Sequence, residues 1–250
     1  MCLVVLAWKV PDRGRLVLVG HRDEFHARAT AAMDWWPAPP VLAGRDLAAG
    51  GTWLGVDRLG RFGVVTNRRG VPGPPEPPSR GTLIPGFLGA RVPAGEFITA
   101  LAAEAHRYAG FSLLLGDESE LWYLSNGDAC GPRRLAAGVY GLSNGALDAD
   151  WPKVRRSRAR LAARIARPLG PAAELFGLLD DREPAPDAQL PDTGIGLELE
   201  RRLSPPFILG ADYGTRCATA IVLAAGGGGE VVERSHAADG RPTGTRAFEL

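Results

Sequence analysis

Cys2 stands directly behind Met1 in this 250-residue chain. Cysteine is small enough at that position for Met1 to be removed, which leaves a thiol and a free α-amine on one residue. An α-amine titrates at about pH 8 and a thiol at about 8.5. The amine can therefore accept the thiol's proton near neutrality, and the thiolate so formed is a strong nucleophile. One residue then supplies both nucleophile and base. The same position also suits a small buried hydrophobe at the start of a strand, so the surroundings carry the decision.

Those surroundings are set by the first two elements. Cys2 to Trp8 is an apolar run rich in β-branched residues, and Pro11-Asp12-Arg13-Gly14 has turn chemistry. Leu16 to Val19 follows as a second strand that closes on His21-Arg22-Asp23-Glu24-Phe25. A hairpin of these two strands puts the charged cluster beside the chain start. There Arg22 and a carboxylate, Asp23 or Glu24, are expected to lower the thiol pKa and hold the amine. The unbroken hydrophobicity of the first strand predicts burial on both faces.

Composition limits the alternatives. The chain is 45% hydrophobic, with 29 basic against 28 acidic residues and a net charge of +1. This balance argues against disorder and against a protein built to grip nucleic acid. Cys2, Cys130 and Cys217 are too few and too scattered for a disulfide framework, and no cysteine or histidine cluster has zinc-ligand spacing. Arg155, Arg156, Arg158, Arg160, Arg164 and Arg167 read as an exposed helix face. No signal peptide is visible and no run approaches the roughly 20 apolar residues of a membrane span. The expectation is a soluble, cytoplasmic protein with no resident cofactor or metal.

Further elements follow from patterning. Thr52 to Val56 and Phe62 to Thr66 form a second hairpin, and Phe111 to Leu115 with Leu121 to Leu124 a third. Gly95 to Ala109 has Phe97, Leu101, Ala105 and Tyr108 at helical spacing. Val139 to Leu142 is a short strand, Val154 to Arg167 a helix, and Ala172 to Leu179 a further helix. Phe207 to Leu209, Thr215 to Ala224 and Glu230 to Glu233 complete the strands, and Asp180 to Asp192 is an acidic, proline-rich loop. With no βαβ alternation, two packed antiparallel sheets with helices outside, in one domain over residues 1–250, satisfy this pattern.

Gly20-His21-Arg22-Asp23-Glu24-Phe25 resembles the Asn-Arg-Asp-Glu motif of the NRDE family, also called the transport and Golgi organisation protein 2 family. Gly50 to Gly55, Val64 to Arg68, Ser79-Arg80-Gly81 and Leu124 to Gly127 are similar to its further segments. So are Gly138 to Asn144, Trp151-Pro152-Lys153-Val154 and Gly214 to Thr219. His21 departs from the motif's Asn. The resemblance implies a layout like that of N-terminal nucleophile hydrolases, a four-layer αββα sandwich that begins, after processing, with a nucleophilic Cys. It further implies Cys2 as nucleophile with its own amine as base, and Arg22 with Asp23 or Glu24 as orienting groups. Asn67 would sit near an oxyanion hole, and Asn144 and Arg216 would match later site residues. Asn67 and Asn144 also suit strand ends, and Arg216 can also pair with Asp212.

Two functions follow from the resemblance. One is hydrolysis of a small-molecule non-peptide amide, or a thioester, through an acyl-Cys2 intermediate. The other is a non-catalytic protein on the same scaffold that handles haem, lipid or acyl-CoA.

Overall fold

The computed structural model describes residues 2–250; Met1, and with it the expected removal of Met1, lies outside the described residues. The chain forms two compact units. The first holds the stretches up to Ala27, Ala137–Ser143 and Leu147–Glu249; the second holds Arg28–Ala136, Asn144–Ala146 and Leu250.

In chain order the strands are β1 (Cys2–Trp8), β2 (Leu16–Phe25), β3 (Thr30–Trp35), β4 (Leu42–Asp46), β5 (Leu54–Val56), β6 (Phe62–Asn67) and β7 (Phe111–Gly116). They continue with β8 (Leu121–Ser125), β9 (Arg133–Leu135), β10 (Gly138–Leu142), β11 (Tyr213–Leu223), β12 (Gly229–His236) and β13 (Pro242–Glu249). The α-helices are α1 (Leu83–Gly89), α2 (Ala94–Glu104), α3 (Pro152–Ile165) and α4 (Leu197–Arg202). No helix among the described residues is long and apolar enough to cross a membrane.

The first unit is built on a six-stranded antiparallel sheet in the order β10-β1-β2-β11-β12-β13. Leu3 to Trp8 are each at most 2% exposed, so β1 is buried on both faces as its unbroken apolar run predicts. One face carries Leu3, Val5 and Ala7 of β1, Val17 and Val19 of β2, and Ala218 and Ala220 of β11. Val154, Leu161 and Ile165 of α3 and Leu175 and Phe176 of a 3-10 segment pack there. Each valine, leucine, isoleucine or phenylalanine among them contributes about 1.5–3 kcal/mol on burial. The turn between β1 and β2 depends on Gly14, whose φ is +79°. A Cβ there would meet the Leu223 carbonyl oxygen at 2.5 Å, so only glycine fits.

Helix α3 begins with Pro152 in its first turn, where the missing N–H costs nothing. Its arginine face is matched by carboxylates. Arg155 pairs with Asp150 at 2.6 Å, Arg158 with Asp148 at 3.2 Å and Arg164 with Glu174 at 2.8 Å. Arg156 and Arg160 share Asp181. The five arginines of this face thus share four carboxylates, so most of its charge is paired.

The second unit is a seven-stranded antiparallel meander, β3 to β9 in sequence order. Leu83, Ile84, Phe87 and Leu88 of α1 and Ala94 and Ile98 of α2 cover one face of it, against Val65, Phe111, Leu113 and Leu115. The two sheets with flanking helices meet the expected fold class.

Several elements differ from the sequence expectation. The charged cluster that closes the second strand lies within β2, which runs unbroken to Phe25 because it is paired on both sides, by β1 and β11. Ala172 to Leu178 is a 3-10 segment. Phe207 to Leu209 is not a strand. Its amides are used by the Asp181 carbonyl (2.9 Å from Phe207 N) and the Thr215 hydroxyl (2.9 Å from Ile208 N).

Candidate active site around Cys2

Antiparallel pairing places Arg22 of β2 directly opposite Cys2 of β1, and Cys217 of β11 directly opposite Arg22. Directly paired residues point to the same face. Cys2, Arg22 and Cys217 therefore form a row on the face of the sheet away from the α3 core. Cys2 is half-buried, whereas Arg22 is 4% exposed and Cys217 is buried.

Burial pushes the Cys2 thiol above the ordinary thiol range. The Asp23 charge adds to the rise, while Arg22 and a hydrogen bond from the Asp23 backbone amide oppose it. The expectation that the charged cluster lowers this pKa is thus corrected: Arg22 acts in that direction, but desolvation outweighs it. Cys217 is pushed up further by its burial and by Glu233.

Asp23 and Glu24 separate cleanly. Asp23 is 1% exposed, and its Oδ1 accepts a 2.7 Å hydrogen bond from the Thr215 hydroxyl. The Tyr213 hydroxyl donates to the Asp23 carbonyl at 3.0 Å. Glu24 lies on the Arg22 side, with Oε2 3.8 Å from Arg22 Nη2 and Oε1 accepting from the Phe25 amide at 2.9 Å. His21, where the motif has Asn, is buried on the α3 side. Its Nδ1 lies 3.0 Å from the Pro206 carbonyl and its ring meets Phe207 edge-on at 5.3 Å. It belongs to the packing beneath the sheet.

Arg216 is the extra residue of a β-bulge. Thr215 pairs with Asp23 and Cys217 with Arg22, leaving Arg216 unmatched in register. Bulges re-aim a side chain that strict alternation would send elsewhere. Burial lowers the Arg216 pKa, and the nearby Arg22 charge lowers it further while Cys217 and Glu24 raise it. Its Nη1 donates to the Phe25 carbonyl at 2.8 Å.

Asn67 and Asn144 meet each other within the second unit. Asn144 Nδ2 donates to the Asn67 carbonyl at 2.9 Å, and the Arg69 amide donates to the Asn144 carbonyl at 2.9 Å. Asn144 is 1% exposed; the Asn67 residue is exposed at the end of β6.

Sequence reasoning passed over two residues. Thr215 holds the Asp23 carboxylate, and Ser143 donates its hydroxyl to the Cys2 carbonyl at 2.9 Å. Both lie inside segments that carry the family resemblance, but a lone Ser or Thr has no spacing signature.

The family model for Transport and Golgi organisation 2 matches residues 1–238. The chain belongs to the transport and Golgi organisation 2 family. A Bos taurus relative, a transport and Golgi organization protein 2 homolog, is 32% identical over 248 residues, covering 88% of this chain and 86% of its own. The Drosophila melanogaster transport and Golgi organization protein 2 is 28% identical over 214 residues, 75% of each chain. Among solved structures, a Caenorhabditis elegans ortholog of N-acylethanolamine-hydrolyzing acid amidase matches with a TM-score of 0.52 at 8% identity, over 88% of this chain and 92% of that one. At that identity the likeness is one of fold, and it gives this family member the N-terminal nucleophile hydrolase-like fold.

Proposed function

We propose that this family member is an N-terminal cysteine hydrolase that cleaves a non-peptide amide or a thioester through an acyl-Cys2 intermediate. The observation that carries the reading is the register at the chain start. Cys2 faces Arg22, and one step beyond that partner stands Asp23, buried and held by Thr215. A buried carboxylate at this step suits the α-ammonium that forms when the freed Cys2 amine takes up the thiol's proton. The worm structure is named as an amidase, and amide cleavage is the chemistry this arrangement suits.

The raised thiol pKa gives the amine its task. Attack needs an acceptor for the thiol's proton. Sγ bonds to the substrate carbonyl carbon as its proton passes to the Cys2 α-amine, and the carbonyl electron pair moves to oxygen. Collapse breaks the C–N or C–S bond, and the α-ammonium returns the proton to the departing amine or thiol. Water then attacks the acyl-Cys2 thioester, giving its proton to the same amine. The acid departs, and the thiolate regains the proton. Asp23 keeps the amine oriented, and Arg22 stabilises negative charge at sulfur.

Intact-mass measurement tests the reading. Active protein is expected to lack Met1 and, when quenched in acid during turnover of a fatty acyl thioester or a fatty acyl aminocoumarin amide, to carry the acyl group on its N-terminal peptide. Cys2→Ala is expected to lose both adduct and turnover. Turnover by protein that retains Met1 overturns the proposal, because the base would then be an amide.

A further inference from the structure

Among the described residues, the strand pairing of Cys2 is with β2. Its β2 side is ordered by the Cys2–Arg22 register, but the ladder with β10 begins at Val4 opposite Leu142. On the β10 side the described ladder stops two residues short of Cys2. The residue after β10 is Ser143, 1% exposed, and its Oγ donates to the Cys2 carbonyl oxygen at 2.9 Å.

We propose that Ser143 is a positioning residue for Cys2: its hydroxyl fixes the Cys2 carbonyl and thereby the peptide plane from which both the thiol and the freed amine are aimed. The proposal rests on the hydrolase reading above. A terminal residue has no preceding peptide plane to hold it. Once Met1 is gone, the directions of Cα–N and Cα–Cβ relative to the sheet depend on the Cys2–Leu3 peptide plane, which the Ser143 hydroxyl grips, and on rotation about Cα–C, which an anchored thiol restricts. The thiol has its own anchor in the Asp23 backbone amide on the opposite strand. The two anchors approach Cys2 from its two neighbouring strands. Losing the carbonyl anchor leaves this peptide held from the β2 side alone, with more freedom to tilt while the residue stays in place. The cost then falls on the alignment of nucleophile and base, and substrate binding is spared.

The experiment compares Ser143→Ala with Ser143→Thr, which keeps the donor, in mature full-length protein. The substrate is the fatty acyl thioester. Ser143→Ala is expected to lower kcat about tenfold with KM within about twofold, and Ser143→Thr to recover most of kcat. The direct readout is the carbonyl signal of Cys2 in protein labelled with [1-13C]cysteine. It is expected to move upfield in Ser143→Ala and to stay in place in Ser143→Thr, with the Cys130 and Cys217 carbonyls unmoved in both. An unchanged kcat and an unmoved Cys2 carbonyl in folded Ser143→Ala overturn the proposal, and so does equal impairment of the two variants. If the wild type shows neither turnover nor acyl adduct, the hydrolase reading falls. The carbonyl signal then decides the Ser143 tie alone: movement confined to the alanine variant supports it, and no movement overturns it.

Discussion

The backbone amide of Asp23 bonds to the Cys2 thiol, while the Asp23 carboxylate is taken by Thr215 of β11. Side chains alternate across a strand, so Asp23 gives its main chain to the thiol and sends its charge to the opposite face. Glu24, next in sequence, points the other way and sits 3.8 Å from Arg22.

Asp23 and Glu24 are therefore expected to behave differently. Asp23→Asn keeps the shape but removes the charge proposed to orient the amine, and should lower kcat on the thioester probe by about 10²–10³-fold. Glu24→Gln, whose carboxylate is partly exposed, should stay within about fivefold. Thr215→Val removes a buried donor and should cost about tenfold. Steady-state kinetics of the three variants, beside their melting temperatures, check the order.

Arg22 is one of the groups that draw the Cys2 thiol pKa down against burial. Arg22→Gln is expected to move the pH profile of Cys2 alkylation by iodoacetamide to higher pH. At pH 7.5 the rate should fall below that of the parent. Exposed Cys130 is best replaced by serine in both proteins, so that the labelled N-terminal peptide reports Cys2 alone. A profile that stays put would show that Arg22 does not reach the thiol.

Acid is expected to weaken the first unit through two histidines. Burial lowers the His21 pKa and lowers that of His236 to about 4, and their rings bracket Phe207 edge-on at 5.3 and 5.1 Å. The unfolded chain binds protons at these sites at about pH 6.5, before the folded chain does. Their stabilising contribution is therefore present above that pH and is lost as pH falls toward 4. The melting temperature should drop over this interval, and His236→Gln should flatten the drop.

Asp117 is expected to be a stability residue of the second unit. Burial alone would raise its pKa. Hydrogen bonds from the backbone amides of Ala94, Glu120 and Ser119, at 2.9, 2.8 and 2.8 Å, bring it below the ordinary carboxylate value. The carboxylate thus ties the start of α2 to the β7–β8 turn. Asp117→Ala should lower stability by about 1–3 kcal/mol at pH 7. The deficit should shrink as pH falls below about 4, because the parent loses this contribution as the carboxyl protonates. Urea unfolding at pH 7 and pH 3 measures both.

Elements with one strong periodicity were legible, and those shaped by neighbours were not. β3 escaped because a bulge between Ala31 and Asp34 breaks the alternation that marks a strand. α1 contains Pro85 and Gly86, poor helix formers, and is held by burying Leu83, Ile84, Phe87 and Leu88. β13 has no apolar face and forms by pairing along β12. Phe207 to Leu209 reads as a strand, but the amides of Phe207 and Ile208 are used elsewhere.

The candidate site divides in the same way. Sequence alone determined that a thiol stands second in the chain, that a hairpin brings Arg22 and two carboxylates beside it, and which family's segments recur in order. Those are properties of residue type and local pattern. Tertiary structure decided what depends on contacts between distant strands. β11 supplies Thr215 and so distinguishes Asp23 from Glu24, and the bulge brings Arg216 into range of Arg22. Burial reverses the expected direction of the Cys2 pKa, and Ser143, 141 residues away, reaches the Cys2 carbonyl. Desolvation and hydrogen-bond partnership are set by which atoms surround a group, and no local spacing in the chain encodes that.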